Sequence, residues 1–202
     1  RARGGVSMII TEGTYTEDKF GCVAYLNQPG CANSQHVSAW KNIVDAVHDN
    51  GSKIMLQLMH GGRVSDPRCL YENESPISAS STKSNGSVLY SDTDEEMYNR
   101  GLTPPWPQVN FPQSKEASKD EIKKIANGFA EASERAMEAG FDGVEIHAAN
   151  GYLYYQFIDP KQNLRTDEYG GSAENNARAV IETVELVRQA IGENKIISVR
   201  LS

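Results

Sequence analysis

Two hydrophobic periods alternate along the chain. Residues 6–11 form a short apolar run, and residues 34–50 then carry Val37, Trp40, Ile43, Val44 and Val47 at helical spacing, with Gly51 as a stop. A second apolar run at 53–58 follows that glycine directly, as a parallel strand would. From 59 to about 117 the pattern breaks down into Pro, Ser, Asn and Gly, including Thr103-Pro104-Pro105-Trp106-Pro107, and predicts a long loop or lid. Ser118-Lys119-Asp120-Glu121 is a capping box. It opens a helix whose inward face is Ile122, Ile125, Ala126, Phe129, Ala132 and Ala136 and which stops at Gly140. Residues 141–147 read as the next strand, followed by a polar, aromatic loop. Residues 173–191 form a helix with Ala177, Val180, Ile181, Val184, Val187 and Ile191 inward, and Gly192 precedes a final strand at 196–201.

Helices between strands imply right-handed parallel crossovers, hence a doubly wound sheet or a (β/α) barrel. No Gly-x-Gly-x-x-Gly follows a strand, and the polar residues gather after the C-terminal ends of strands. The expected class is therefore α/β, a (β/α)8 TIM barrel. The predicted strands are about half of the eight such a barrel has, so residues 1–202 are expected to be a single partial domain. The abrupt apolar ends point to an internal segment of a longer protein.

Composition narrows the function. Of 202 residues, 39% are hydrophobic, enough for one core, and 20 Lys+Arg against 27 Asp+Glu leave a net charge of −7, which disfavours a nucleic-acid partner. No apolar run approaches the roughly 20 residues that span a bilayer, and no export signal opens the chain, so no membrane partner and a cytoplasmic location are expected. Three cysteines, Cys22, Cys31 and Cys69, show no metal-ligand spacing, and no metal site is expected.

The densest candidate cluster is His147-Ala148-Ala149-Asn150-Gly151-Tyr152 at the end of a strand. His147 and Asn150, three apart in a turn, can aim two donors at one point, and Tyr152 can supply a phenolic proton; a core histidine is the plain alternative. Gln57 lies in an apolar strand, where a buried amide either satisfies backbone or matches a donor–acceptor edge such as a flavin pyrimidine. Arg200, in the last strand, calls for an anion or a carboxylate, for which Glu145 or Glu12 would serve. The glycines of His60-Gly61-Gly62-Arg63 permit close backbone approach to a ligand. Arg165-Thr166-Asp167-Glu168-Tyr169-Gly170-Gly171-Ser172 reads best as a surface turn capping a helix. Glu12 and Glu145 also allow a different reading, the carboxylate pair of a barrel glycosidase.

Taken together, Ile9-Ile10-Thr11-Glu12-Gly13, Gln57-Leu58-Met59-His60-Gly61-Gly62-Arg63, the segment from Gly143 through His147 to Leu153, the Arg165 to Ser172 turn and Val199-Arg200-Leu201-Ser202 resemble the old yellow enzyme family. The resemblance implies an FMN-containing (β/α)8 barrel that reduces activated alkenes, α,β-unsaturated carbonyl or nitro compounds, with NAD(P)H. It also implies that His147 and Asn150 bind the substrate oxygen, that Tyr152 donates the proton, and that Gln57, Arg200 and Gly13 fall at flavin-binding positions. Met59 stands where a Trp is common. The family's first strand and its phosphate-binding loops have no counterpart between residues 1 and 202, so the segment alone is expected to bind FMN weakly or not at all, and a non-catalytic flavin-binding remnant is a further alternative. The substrate's identity, the choice of NADH or NADPH and the oligomeric state are not legible.

The odd cysteine count predicts free thiols in the intact protein. Its mass under non-reducing conditions should be unchanged by a reductant, and a gain of two hydrogen atoms on reduction would refute this.

Overall fold

The computed structural model describes residues 1–25, 27–89 and 108–202. In chain order its elements are β1 (Met8–Ile10), α1 (Ser34–His48), β2 (Lys53–Leu58), β3 (Ile77–Ser78), β4 (Ser87–Leu89), β5 (Gln108–Asn110), β6 (Lys115–Glu116), α2 (Lys119–Glu138), β7 (Gly143–Ala148), α3 (Leu153–Ile158), α4 (Ala173–Ile191) and β8 (Ile196–Leu201). The four-stranded sheet has the order β1-β2-β7-β8 with every pair parallel, as the strand–helix alternation predicts. Cys22, Cys31 and Cys69 are free.

Each long helix begins where a side chain satisfies its orphan N–H groups. Asn33 accepts from the Gln35 and His36 amides, Ser118 and Glu121 complete the capping box, and Ser172 accepts from the Asn175 amide. On one face of the sheet, Leu56, Leu58, Val144 and Ile146 meet Ile125, Phe129, Ala132 and Ala136 of α2, all in one core cluster. At the opposite ends of the strands from the site residues, the Asp142 carboxylate accepts from Lys53 Nζ, the Ile54 amide and His48 Nε2, each at 2.9 Å. Partial burial opposes ionisation there, but these donors outweigh it and hold Asp142 down to about 2.

The structure corrects several expectations. Helical spacing puts Ile43 and Ile181 on the apolar faces of their helices, yet they are 49% and 50% exposed. Each stands one residue, about 100° of helix rotation, from a buried neighbour, Val44 or Val180, and the buried stripes are too narrow to include both. The stretch 59–117 is not simply a loop: β3 pairs with β6 in parallel and β4 with β5 antiparallel. The motif at 103–107 lies outside the described residues. The aromatic loop after β7 contains a helix, α3.

In the 165–172 turn Ser172 caps α4 as expected, but Arg165 is not a surface residue. Arg165 is buried, and its guanidinium donates through Nη1 to the carbonyls of Ala79 (3.0 Å) and Ala117 (2.7 Å) and through Nε and Nη2 to Asp167 (3.0 and 2.7 Å). Ala79 and Ala117 directly follow β3 and β6, so one side chain ties both ends of the long excursion to the segment before α4. Arg165→Ala strands two carbonyls and a carboxylate, and should lower unfolding free energy by about 3–5 kcal/mol in urea titrations. A loss below about 1 kcal/mol would mean that the guanidinium does not join these segments.

Candidate functional site

Parallel strands in register present opposed residues to the same side of a sheet. Gln57 is level with Glu145, and Glu145 with Ser198; two residues on, His147 is level with Arg200. The apolar residues between them, Leu56, Leu58, Val144 and Ile146, point the other way, into the helix-packed core. Glu145 and His147, two apart on β7, therefore share a face, and the alternation extends over three strands to give that face a polar row.

Glu145 is the centre of that row. Its Oε1 accepts from Gln57 Nε2 at 2.7 Å and its Oε2 from Ser198 Oγ at 3.1 Å. The Gln57 amide N–H is taken by Thr11 Oγ1 at 3.0 Å, so the strand is pinned on both sides. With Nε2 directed at Glu145, Gln57 Oε1 meets no protein donor among the described residues. The expected Arg200–Glu145 pair does not form. Register sets Arg200 beside His147, one row further along, and no described carboxylate lies within ion-pair distance of it. Glu12 is also elsewhere, accepting from Tyr25 Oη at 3.2 Å.

His147 leaves β7 almost fully buried, and its Nδ1 accepts the Ala149 amide at 3.2 Å. With Nδ1 an acceptor, the neutral ring carries its proton on Nε2 and presents a donor. Burial, then the Arg200 charge, pushes His147 down to about 4, so the ring is neutral near pH 7. Tyr152 stands edge-on to it, ring centroids 4.9 Å apart at 87°. Burial raises the Tyr152 phenol above its ordinary value and keeps its proton on. Between them Asn150 adopts the left-handed conformation (φ 57°), with its amide donating to Ser202 Oγ at 3.1 Å, and its side chain is exposed. The structure therefore brings His147 and Tyr152 into contact and places Asn150 on the same turn.

Gly13 is buried, and a Cβ there would lie 2.6 Å from Met59 Sδ, so its need for glycine is met by close packing on the residue after β2. Its carbonyl accepts from Gln28 Nε2 (3.1 Å) and Tyr25 Oη (3.3 Å). Tyr25 was missed in the sequence. Its phenol is pushed up by burial and then by Glu12, and it lies within electrostatic reach of Tyr152. The available signal was an aromatic in a loop entered from the C-terminal end of a strand.

The polar side chains thus gather at the C-terminal ends of parallel strands backed by helices, the place where α/β folds bind their ligands. The family model described as the NADH:flavin oxidoreductase / NADH oxidase family matches residues 1–202, and the chain belongs to that family. It is 40% identical over 194 residues to 12-oxophytodienoate reductase 2 of Arabidopsis thaliana, covering 96% of this chain and 48% of that protein. Enoate reductase 1 of Kluyveromyces lactis is 38% identical over 196 residues, 97% of this chain and 45% of that one. Among solved structures, morphinone reductase in complex with tetrahydroNAD superposes with a TM-score of 0.86 at 33% identity, covering 99% of this chain and 52% of that one. The old yellow enzyme homologue from Zymomonas mobilis gives 0.85 at 32%, over 99% and 51%. The fold is thus half of a (β/α)8 barrel, and the chain spans about half the length of the relatives it matches. Family membership sets aside the glycosidase reading, whose Glu145 is in any case held by Gln57 and Ser198.

A neutral His147 predicts a pH signature. Its ring resonances should not titrate between about pH 8 and pH 6. Because the unfolded chain protonates this histidine near its usual value of about 6.5 and the folded chain does not, His147 contributes stability that is full above that pH and is lost as pH falls toward about 4. An NMR midpoint near 6.5 for His147 would contradict the burial argument.

Proposed function

We propose that the protein containing this chain is an FMN-dependent ene-reductase that reduces α,β-unsaturated carbonyl or nitro compounds with NAD(P)H. The observation that carries the reading is the neutral His147, with Nδ1 capped by the Ala149 amide and Nε2–H available as a donor, set edge-on against a protonated Tyr152. The names of the relatives, enoate reductase 1 and 12-oxophytodienoate reductase 2 among them, support the same class.

The polar row suits a flavin. Gln57 offers an acceptor without a protein donor, beside the second hydrogen of an amide held by Glu145, and this matches the N–H and carbonyl edge of the flavin pyrimidine. Arg200, a cation with no ion-pair partner among the described residues, suits the negative charge that a reduced flavin carries. Bound FMN would supply the hydride, drawn from NAD(P)H, to the β-carbon of the alkene. His147 Nε2–H and the Asn150 side chain would donate to the substrate oxygen and polarise the double bond. Tyr152 would release its phenolic proton to the α-carbon, completing the addition of hydride and proton across the bond. We place this activity in the cytoplasm, where the free thiols expected of Cys22, Cys31 and Cys69 would persist.

Tyr152→Phe removes only the hydroxyl. In the flavin-loaded protein it should slow the enone half-reaction by about 10²-fold or more while nicotinamide still reduces the flavin. His147→Ala and Asn150→Ala should instead weaken carbonyl-ligand binding. Stopped-flow traces in which the Phe variant oxidises its flavin with an enone as fast as the parent would remove Tyr152 as the acid, and a protein that takes up flavin but whose reduced flavin no enone oxidises would favour the non-catalytic flavin-binding remnant.

A further inference from the structure

Gln156 lies on α3, one turn beyond Tyr152, and is completely buried. A buried primary amide must satisfy two N–H donors and an acceptor, and the way it does so here is informative. Nε2 donates to the Gly151 carbonyl at 2.7 Å and to the Gly61 carbonyl at 3.3 Å, while Oε1 accepts the Arg63 amide at 3.1 Å. One carboxamide therefore bridges two loops: the turn after β7, which carries Asn150 and Tyr152, and the glycine loop after β2. Gly62, at φ 61°, sits so close that any Cβ would strike the Gln156 amide. The Leu153 amide adds a backbone bond to the His60 carbonyl at 3.1 Å.

The turn needs such an anchor. Asn150 (φ 57°) and Gly151 (φ 81°) are consecutive left-handed residues, and a non-glycine residue holds that conformation only where its surroundings enforce it. The Gly151 carbonyl lies between the Asn150 and Tyr152 side chains, and the Gln156 carboxamide donates to it.

We infer that Gln156 is a positioning residue, which fixes the Asn150–Tyr152 turn against the loop after β2 and so sets where the acid and the oxygen donor point. This rests on the reading of Tyr152 as proton donor. Gln156→Met keeps the volume and removes all of these hydrogen bonds. Gln156→Glu keeps the shape but turns acceptors toward two carbonyls, and only its protonated form regains a donor.

The test uses the flavin-loaded protein containing this chain, with Tyr152→Phe as reference. In Gln156→Met, amide hydrogen exchange should quicken together at residues 61–63 and 150–153. The enone half-reaction should slow by about tenfold, the size of one lost buried hydrogen bond, with a larger solvent deuterium isotope effect, while flavin content and flavin reduction stay at parent levels. If the Met variant does not fold, Gln156→Glu carries the test: its enone half-reaction should recover as pH falls and the carboxyl protonates. Unchanged exchange at both loops, or equal losses in both half-reactions, would overturn the positioning role. A Tyr152→Phe variant as fast as the parent, alongside quickened exchange in Gln156→Met, would overturn the catalytic reading and leave the clamp intact, so the two failures are distinguishable.

Discussion

A carboxylate buried in a parallel sheet must find donors, and Glu145 finds them on both neighbouring strands, Gln57 on β2 and Ser198 on β8. Much of the site depends on this arrangement. It joins three strands across one polar row and directs the Gln57 amide so that its oxygen is left facing outward. In the next row it leaves His147 beside Arg200. A one-residue slip of β8 would turn Ser198 and Arg200 into the helix-packed side and bring Val199 beside Glu145. On β8 itself, Ile197 packs against the helix-backed core, and the slip would turn it to the polar face.

Above the row, the side chains proposed for chemistry and those that anchor the fold are different. His147 and Tyr152 make few bonds to the protein through their functional atoms, which leaves Nε2–H and the phenolic hydrogen for a ligand. The anchoring falls to residues with no free functional atom. Gln156 joins the turn after β7 to the loop after β2, and Arg165 joins the ends of the 79–117 excursion to the segment before α4. Burial serves both groups, since the low polarity that keeps His147 neutral and Tyr152 protonated also makes the Gln156 and Arg165 networks costly to break.

What was legible in the sequence was local. The capping box at Ser118 and Glu121, the glycine stops and the strand–helix alternation depend on neighbours within a turn, and each appears where expected. His147, Asn150 and Tyr152 were legible as a group because they share one turn. The Gln57–Glu145 bond spans 88 residues, and the Arg165 bonds to Ala79 and Ala117 span 86 and 48, so none of them has a local signature. Arg165 accordingly read as a surface turn and Arg200 as a buried ion-pair partner. Strand register, which no short motif encodes, decided both the Glu145 pairing and the place of Arg200.

We propose that the polar row of β2, β7 and β8 is a flavin seat in which Arg200 meets the charge gained on reduction. The midpoint potential of the bound flavin tests it most directly. With Arg200→Gln in the flavin-loaded protein, the account predicts a potential more negative than that of the parent, because the reduced, anionic form loses its cation while the oxidised form loses little. A variant that retains FMN at an unchanged potential would contradict it.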